Sequence, residues 1–288
     1  MTWVFLSLLS AFSLASADAL SKRFFSDLSA YEMGLIRLLY VFPWLIAACF
    51  FIPWTKPDTV FFLCLVVGLP LEALAFYGYM QALKEAPLSL SLPFLAFTPA
   101  FIVLTGWMLL GETVSLTGLL GIFLIVAGSY CLNIFSIAQG YLAPFKAIFK
   151  ARGSRTMLLV SFIYSLTAPI GKLGILHSNP YVFGVIYYTS FILCMAAFLP
   201  FSPGTKVENL NMRPMKALIL GAVVAVSIFS HWVAISQVQA AYMIALKRTS
   251  LLFGVLYGAF WFKEEKIRER LIGAGLMLIG VFCIGWLG

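Results

Sequence analysis

Apolar runs of about 20 residues, each long enough to cross a bilayer core, follow one another along this chain with only short connections between them. They fall at 3–21, 31–53, 59–82, 88–110, 115–135, 156–173, 181–200, 215–236, 240–262 and 269–287. Inside lipid every backbone N–H and C=O must be satisfied within the protein, which leaves helices or closed barrels. Barrel strands alternate apolar and polar residues, whereas these runs are continuously apolar, so they read as helices. Hydrophobic residues make up 62% of the 288 positions and charged residues 10%. A soluble domain is roughly 45–50% apolar and about 25% charged. The fold class expected is an all-α integral membrane protein of ten spans, with no room left for a soluble domain.

The net charge of +8 does not mark a nucleic-acid binder, because the basic residues sit in loops between spans. Odd-numbered loops hold Lys22, Arg23, Lys84, Lys146, Lys150, Arg152, Arg155, Lys206, Arg213, Lys216, Lys263, Lys266, Arg268 and Arg270. Even-numbered loops hold only Lys56 and Lys172. The positive-inside rule then puts the odd loops in the cytoplasm and both termini outside. Cys49, Cys64, Cys131, Cys194 and Cys283 lie in apolar runs without a CxxC pair, so neither a disulfide nor a metal site is expected. Ala15-Ser16-Ala17 resembles a signal cleavage site, but the preceding residues carry no Lys or Arg. A signal n-region needs that charge, so 3–21 is read as the first span.

The two halves repeat. Shifting 85–133 by 152 positions lays it on 237–285 without a gap, matching Gly106 with Gly258, Glu112 with Glu264, Gly121 with Gly273 and Gly128 with Gly280. A shift of 150 matches Lys22 with Lys172, Tyr31 with Tyr181 and Gly34 with Gly184. The division expected is a first repeat at 1–135, a basic connecting loop at 136–155 and a second repeat at 156–288. Five spans per repeat invert the second half relative to the first, a common build for secondary transporters.

Gly111-Glu112 followed by the helix from Gly121 to Gly128, with Glu264, Gly273 and Gly280 as a second copy, resembles the drug/metabolite transporter superfamily in its EamA-type ten-helix branch. Lys22 and Arg37 resemble that family's first-helix Lys and second-helix Arg. The resemblance covers essentially the whole chain. It implies a central cavity lined mainly by helices 1–4 and 6–9, helices 5 and 10 at the periphery, and alternating access in a bacterial cytoplasmic membrane. Several branches keep both termini in the cytosol, the reverse of the charge count here.

Ionisable residues inside spans cost about 2.5–3.5 kcal/mol each on insertion scales, so they are functional candidates by default. Lys247 and Arg248, followed by Thr249 and Ser250, lie in span 9. They read either as an anion site, Arg offering a planar donor fork and Lys a point charge, or as partners for acidic residues in the bundle. The pair also resembles one in the sugar-phosphate and nucleotide-sugar branches that contacts phosphate, although the Asn-rich sequence common before it there is absent. Glu72 in span 3 reads as their ion-pair partner, as a cation site or as a proton relay. His231 corresponds to Tyr79, two polar aromatics suited either to a cavity wall or to packing. The substrate-binding candidates are thus Lys247, Arg248, Glu72, His231, Tyr79 and Ser250.

A second group reads as gating or structural. Asp18 and Lys22, at i and i+4, suit a local ion pair. Arg37 is placed to snorkel or to line the entrance. Pro93 and Pro99 are expected to interrupt span 4, and Pro169 with Gly171 to interrupt span 6. Glu112 and Glu264 are expected to face the positive ends of helices 5 and 10. The functions weighed are a secondary transporter, a membrane-embedded enzyme and a lipid scramblase or assembly partner. The chain carries no HExxH and no GxxxxGK[ST] loop, and the transporter reading accounts best for the repeat and the sparse buried charge. The cargo expected is a small anionic metabolite, with amino acids or cationic and hydrophobic compounds as alternatives. Partners expected are this small-molecule substrate, the lipid bilayer and a coupling proton or counter-substrate. The chain is expected to act as monomer or homodimer, without cofactor, metal, catalytic residues or nucleic acid.

Overall fold

A computed structural model describes residues 2–85, 92–134, 152–202, 205–262 and 271–287, and those residues are helical with no strand among them. In chain order the helices are α1 (Thr2–Phe25), α2 (Ala30–Leu39), α3 (Phe42–Cys49) and α4 (Thr59–Glu85). A 3-10 turn (Leu92–Phe97) leads into α5 (Thr98–Leu110), followed by α6 (Leu116–Ile134). The second half holds α7 (Arg152–Leu176), α8 (Pro180–Ala197), α9 (Pro214–Ile235), α10 (Ala240–Lys247), α11 (Ser250–Phe262) and α12 (Leu271–Phe282). Helices α2 and α3 share one span, and α10 and α11 another; seven spans are long and apolar enough to cross a bilayer, and three shorter apolar helices lie at Phe94–Leu110, Leu116–Ser129 and Gly273–Trp286. The basic loop at 136–155 and Glu264 lie outside the described residues, apart from the start of α7.

Local chemistry sets the entries to α2 and α8. The Ser29 hydroxyl accepts from the Glu32 N–H at 3.2 Å while the Glu32 carboxylate accepts from the Ser29 N–H at 2.8 Å, a reciprocal cap that satisfies two orphan donors. Asn179 caps α8 by accepting from Tyr181 and Val182 at 3.0 and 2.8 Å, with Pro180 opening the helix.

Packing between the halves is reciprocal. Helix α4 lies along α7 while α9 lies along α1, and α5 lies along α7 while α11 lies along α1. Helices α6 and α12 cross where side chains vanish. A Cβ on Gly128 would stand 2.6 Å from the Gly273 carbonyl oxygen, and one on Gly280 would stand 2.6 Å from the Gly121 oxygen. Only glycine permits that approach, the small-residue mode by which helices associate in lipid.

Two breaks fall at matching positions. Span 4 changes from 3-10 turn to α-helix between Phe97 and Thr98, and span 9 is interrupted by a turn at 248–249 before α11 begins at Ser250. Thr98 plus 152 is Ser250. The break in span 4 was expected, although Pro99 sits in the first turn of α5, where its missing N–H costs nothing. Pro93 lies within the 3-10 turn. The break in span 9 contains no proline.

Span 6 corrects an expectation. Helix α7 runs unbroken through Pro169 and Gly171. Proline frees the carbonyl four residues before it, here that of Ser165, and the Thr105 hydroxyl of α5 donates to that oxygen at 2.6 Å. A neighbouring helix therefore satisfies the group whose loss would otherwise favour a break. Gly171 has a packing role: a Cβ there would lie 2.8 Å from the Trp232 ring.

Candidate functional site

The halves enclose a cavity of ≈ 130 Å³ near the middle of the bundle. Leu14 of α1, Arg37 of α2, Glu72, Phe76 and Tyr79 of α4 and Thr98 of α5 line one half of it. Tyr164 and Thr167 of α7, Tyr188 and Phe191 of α8, His231 and Trp232 of α9, and Lys247 with Arg248 complete it. Spans 1–4 and 6–9 thus all contribute, while α6 and α12 do not line it.

Arg248 caps the C-terminus of α10 at the break in span 9 and is 5% exposed. Its Nη2 donates to the Thr98 hydroxyl at 2.9 Å, and that hydroxyl in turn donates to the Leu95 carbonyl at 2.7 Å. Its Nε is buried without a hydrogen-bond partner among the described residues. Lys247 places Nζ 3.2 Å from Nδ1 of His231. Among the described residues no carboxylate oxygen lies within 4.0 Å of either cation. The expected pairing of Glu72 with Lys247 or Arg248 is therefore not made. The hydroxyls of Thr167 and Tyr187 approach the Glu72 carboxylate instead, on the cavity wall built by α4, α7 and α8.

Arg37 does not snorkel to the membrane edge; it is buried on the cavity wall. Its Nη1 holds Asp18 Oδ1 at 2.6 Å, with both side chains 6% exposed, and Tyr79 donates to Asp18 Oδ2 at 2.5 Å. Asp18 is thus engaged across helices, by Arg37 of α2 and Tyr79 of α4. Lys22 lies in the last turn of α1. The i, i+4 spacing suits a local pair, but three helices converge here and bring a guanidinium and a phenol to the same carboxylate.

Ser250 is buried but faces a separate void of ≈ 10 Å³ that it shares with Asp18, Tyr79 and Leu95. Glu112 follows Gly111, which ends α5 in the left-handed region at φ 66°. Its carboxylate pairs with Lys172 of α7 and accepts from the Ala240 N–H at 2.8 Å. It therefore caps α10 in the other half rather than facing the start of α6. Lys172 also donates to the Val238 carbonyl at 2.6 Å.

Sequence reasoning placed Lys247, Arg248, Glu72, His231 and Tyr79 as cavity candidates, and all five line this cavity. It missed Thr98, Tyr164, Thr167, Tyr188 and Trp232. A faint signal existed in α7, where Tyr164, Thr167 and Gly171 recur at three- and four-residue spacing on one helix face. The adjacent Lys–Arg pair belongs to one half alone: under the 152-residue shift Lys247 and Arg248 correspond to Leu95 and Ala96.

Polar side-chain contacts also tie the halves together at both ends of the bundle. Arg213 grips Asp27 with two bonds of 2.9 Å where α1 turns into α2, and donates to the Phe24 carbonyl. At the opposite end His177 Nδ1 meets Asp58 Oδ2 at 2.6 Å.

A family model described as the EamA-like transporter family matches residues 1–134 and 151–286. An uncharacterized transporter of Archaeoglobus fulgidus is 24% identical over 287 residues, spanning 97% of this chain and 95% of the relative. An uncharacterized transporter of Methanothermobacter thermautotrophicus is 24% identical over 189 residues, spanning 65% of this chain and 54% of that protein. A solved crystal structure superposes with a TM-score of 0.73 at 16% identity, covering 98% of this chain and 99% of its own, a likeness of fold.

Proposed function

Because this chain belongs to the EamA-like transporter family, we propose that it is a secondary transporter that carries a small metabolite bearing an anionic group, by alternating access. The observation that carries the reading is the Lys247–Arg248 pair: two cationic side chains at the wall of a central cavity, with no carboxylate within 4.0 Å among the described residues. An uncompensated buried charge is strongly destabilising, so a fold that retains two has a use for them. The partnerless Nε of Arg248 adds a donor that a cargo oxyanion would satisfy.

Alternating access is supported by the matched breaks at 97–98 and 249–250, which meet at the cavity through Arg248 and Thr98. Interrupted spans at the midplane supply polar backbone and bending points. The ties at the two ends suit gates that open in turn. Two five-span repeats, 1–135 and 156–288, are the bodies proposed to rock against each other, with the odd-numbered loops in the cytoplasm.

The test is thermal stabilisation of the detergent-purified protein by sugar phosphates, nucleotides, carboxylates, amino acids and amines, followed by counterflow in proteoliposomes. A ligand at 100 times its Kd stabilises by about 2.7 kcal/mol. Compounds with an oxyanion are expected to stabilise the protein and to lose that effect in Lys247→Gln and Arg248→Gln at unchanged folded yield. An unaltered response in both variants, or loss of folded protein in both, overturns the reading.

A further inference from the structure

We propose that the contact between His177 and Asp58 is a pH-sensitive latch for one face of the bundle, that of the even-numbered loops: acid on that face holds it shut, and a rise in pH frees it to open. This rests on the alternating-access reading and adds what biases one of its gates.

The two faces are closed by the same construction. On the odd-loop face Asp27, just after α1, is held by Arg213, the residue directly before α9. On the even-loop face His177, directly after α7, places Nδ1 2.6 Å from Oδ2 of Asp58, the residue directly before α4. A shift of 150 positions lays Asp27 on His177 and the α2 cap Ser29 on the α8 cap Asn179. Each capped entry also holds a loop from the other half. Glu32 accepts from the Lys206 N–H at 3.0 Å and from Asn209 Nδ2 at 2.8 Å. Asn179 Nδ2 donates to the Pro53 carbonyl at 2.8 Å and to the Thr55 hydroxyl at 3.0 Å.

One construction carries two chemistries. A guanidinium is charged at every accessible pH, so the Asp27–Arg213 tie does not switch near neutrality. An imidazole ordinarily changes charge near about 6.5. Hydrogen bonds from His177 and from the Phe61 N–H, the latter at 3.1 Å, hold the Asp58 carboxyl below its ordinary value, so Asp58 supplies a lasting negative charge. With the ring protonated the contact is a charge-assisted pair, roughly twice as strong as the neutral hydrogen bond left at higher pH. Its polarity also suits both helices, an acid at the start of α4 and a base at the end of α7. The side chains are 34% and 53% exposed, so protons from the bulk reach them directly.

Among the described residues, the other titratable groups on the segments that meet this contact are Lys56 in the loop before α4, Cys64 on α4, Tyr181 at the start of α8, and Lys172 on α7, which Glu112 engages. Side chains of these types ordinarily titrate outside the range of about pH 5 to 8. His231, the second of the two histidines, lies inside the bundle beside Lys247. Only the closed face sets the Asp58 carboxylate against the His177 ring. Protonation of the ring therefore favours closure, and that advantage is lost as pH rises.

The test uses the full chain in lipid nanodiscs without added solute. Spin labels at Thr59→Cys and Tyr181→Cys report on the even-loop face, and labels at Ser26→Cys and Met215→Cys on the odd-loop face, all four positions being exposed. The parent for labelling lacks the five native cysteines. Between about pH 5.5 and pH 8 the open share at the even-loop face is expected to rise about two- to fivefold, the leverage of an exposed pair, while the odd-loop face does not open with it. His177→Gln is expected to show the high-pH share at every pH, and His177→Arg the low-pH share at every pH. A response that survives in His177→Gln, or no response in the parent while both faces still exchange, overturns the latch and leaves alternating access standing. A single fixed distance at both faces under every condition overturns the alternating-access reading as well. Should the cysteine-free parent fail to fold, amide exchange of residues 53–59 and 175–181 in the native chain, corrected for its intrinsic pH dependence, decides. Protection there is expected to fall with rising pH in the native chain and to stay constant in His177→Arg, and equal behaviour of the two overturns the latch.

Discussion

Arg248 donates from Nη2 to the hydroxyl of Thr98 at 2.9 Å, and this bond joins the interruption of span 9 to the interruption of span 4. At both breaks a threonine hydroxyl donates to the carbonyl three residues back, Thr98 to Leu95 and Thr249 to Leu246, each at 2.7 Å. Thr98→Val is expected to strand the guanidinium and cost about 1–3 kcal/mol of stability, the range for an unsatisfied buried polar group. Thr98→Ser keeps the hydroxyl and should melt near the wild type. Thermal unfolding in detergent with a saturating ligand present and absent separates lost stability from lost binding.

The Asp18–Arg37 pair gives a second prediction. Breaking a buried pair costs about 3–5 kcal/mol because a charge is left without compensation, whereas removing both partners costs much less. Arg37→Leu and Asp18→Leu should each lower the melting temperature strongly, and the double variant should recover part of the loss. A double-mutant cycle that shows simple additivity would mean the two side chains do not act as a unit.

A third concerns Thr105 and the proline beneath it. Thr105→Val removes the only donor that reaches the Ser165 oxygen from α5 and should cost about 1–2 kcal/mol. Pro169→Ala restores a backbone donor four residues on, so the Thr105→Val penalty should shrink in that background. An unchanged penalty would place the role of Thr105 elsewhere.

At the α6–α12 crossing, Gly128→Val and Gly280→Val push a side chain into backbone and should destabilise by at least the ~1–3 kcal/mol of an overpacked core. Gly275→Ala is the control, since a Cβ there meets nothing within 4 Å. Equal melting of all three variants would remove the close-packing argument.

The Asp27–Arg213 tie gives a pH dependence. Hydrogen bonds from Arg213 hold the Asp27 carboxyl below its ordinary value, and the Asp27 carboxylate holds Arg213 above its own. A lowered acid pKa stabilises the fold above the ordinary value, about 3.9, and the effect is lost as pH falls through the lowered one. The raised Arg value changes nothing in the accessible range. The pair is exposed and screened by solvent, so its contribution is small. Wild type and Asp27→Asn should therefore differ slightly at pH 7 and converge as pH falls through the lowered Asp27 value.

The spans were legible because each is a continuous apolar run, and the matched glycines of α6 and α12 were legible because both helices keep them at a spacing of seven. The cavity charges were legible because lipid makes them rare. Their partners were not. Local spacing offered Lys22 to Asp18, but Arg37 and Tyr79 reach it from other helices, and no one-dimensional pattern records that approach. Glu112 likewise stands before α6 and caps α10. The continuity of α7 through Pro169 was hidden for the same reason, since the compensating hydroxyl is 64 residues away in sequence, at Thr105. Small hydroxyl residues such as Thr98 and Thr167 gave no signal, because in apolar helices they commonly bond their own backbone, as Ser16 does to Phe12 at 2.8 Å.

Lys247 and Arg248 face the cavity from one half only, and their counterparts in the other half are Leu95 and Ala96. The scaffold that holds the bundle together, above all the glycine crossing of α6 and α12, is shared by both halves and lies away from those positions. The cavity charges and the crossing that holds the bundle together are therefore encoded in separate residues. Substitutions in α4, α8 and α10 can change the chemistry of the cavity wall while that crossing stays untouched.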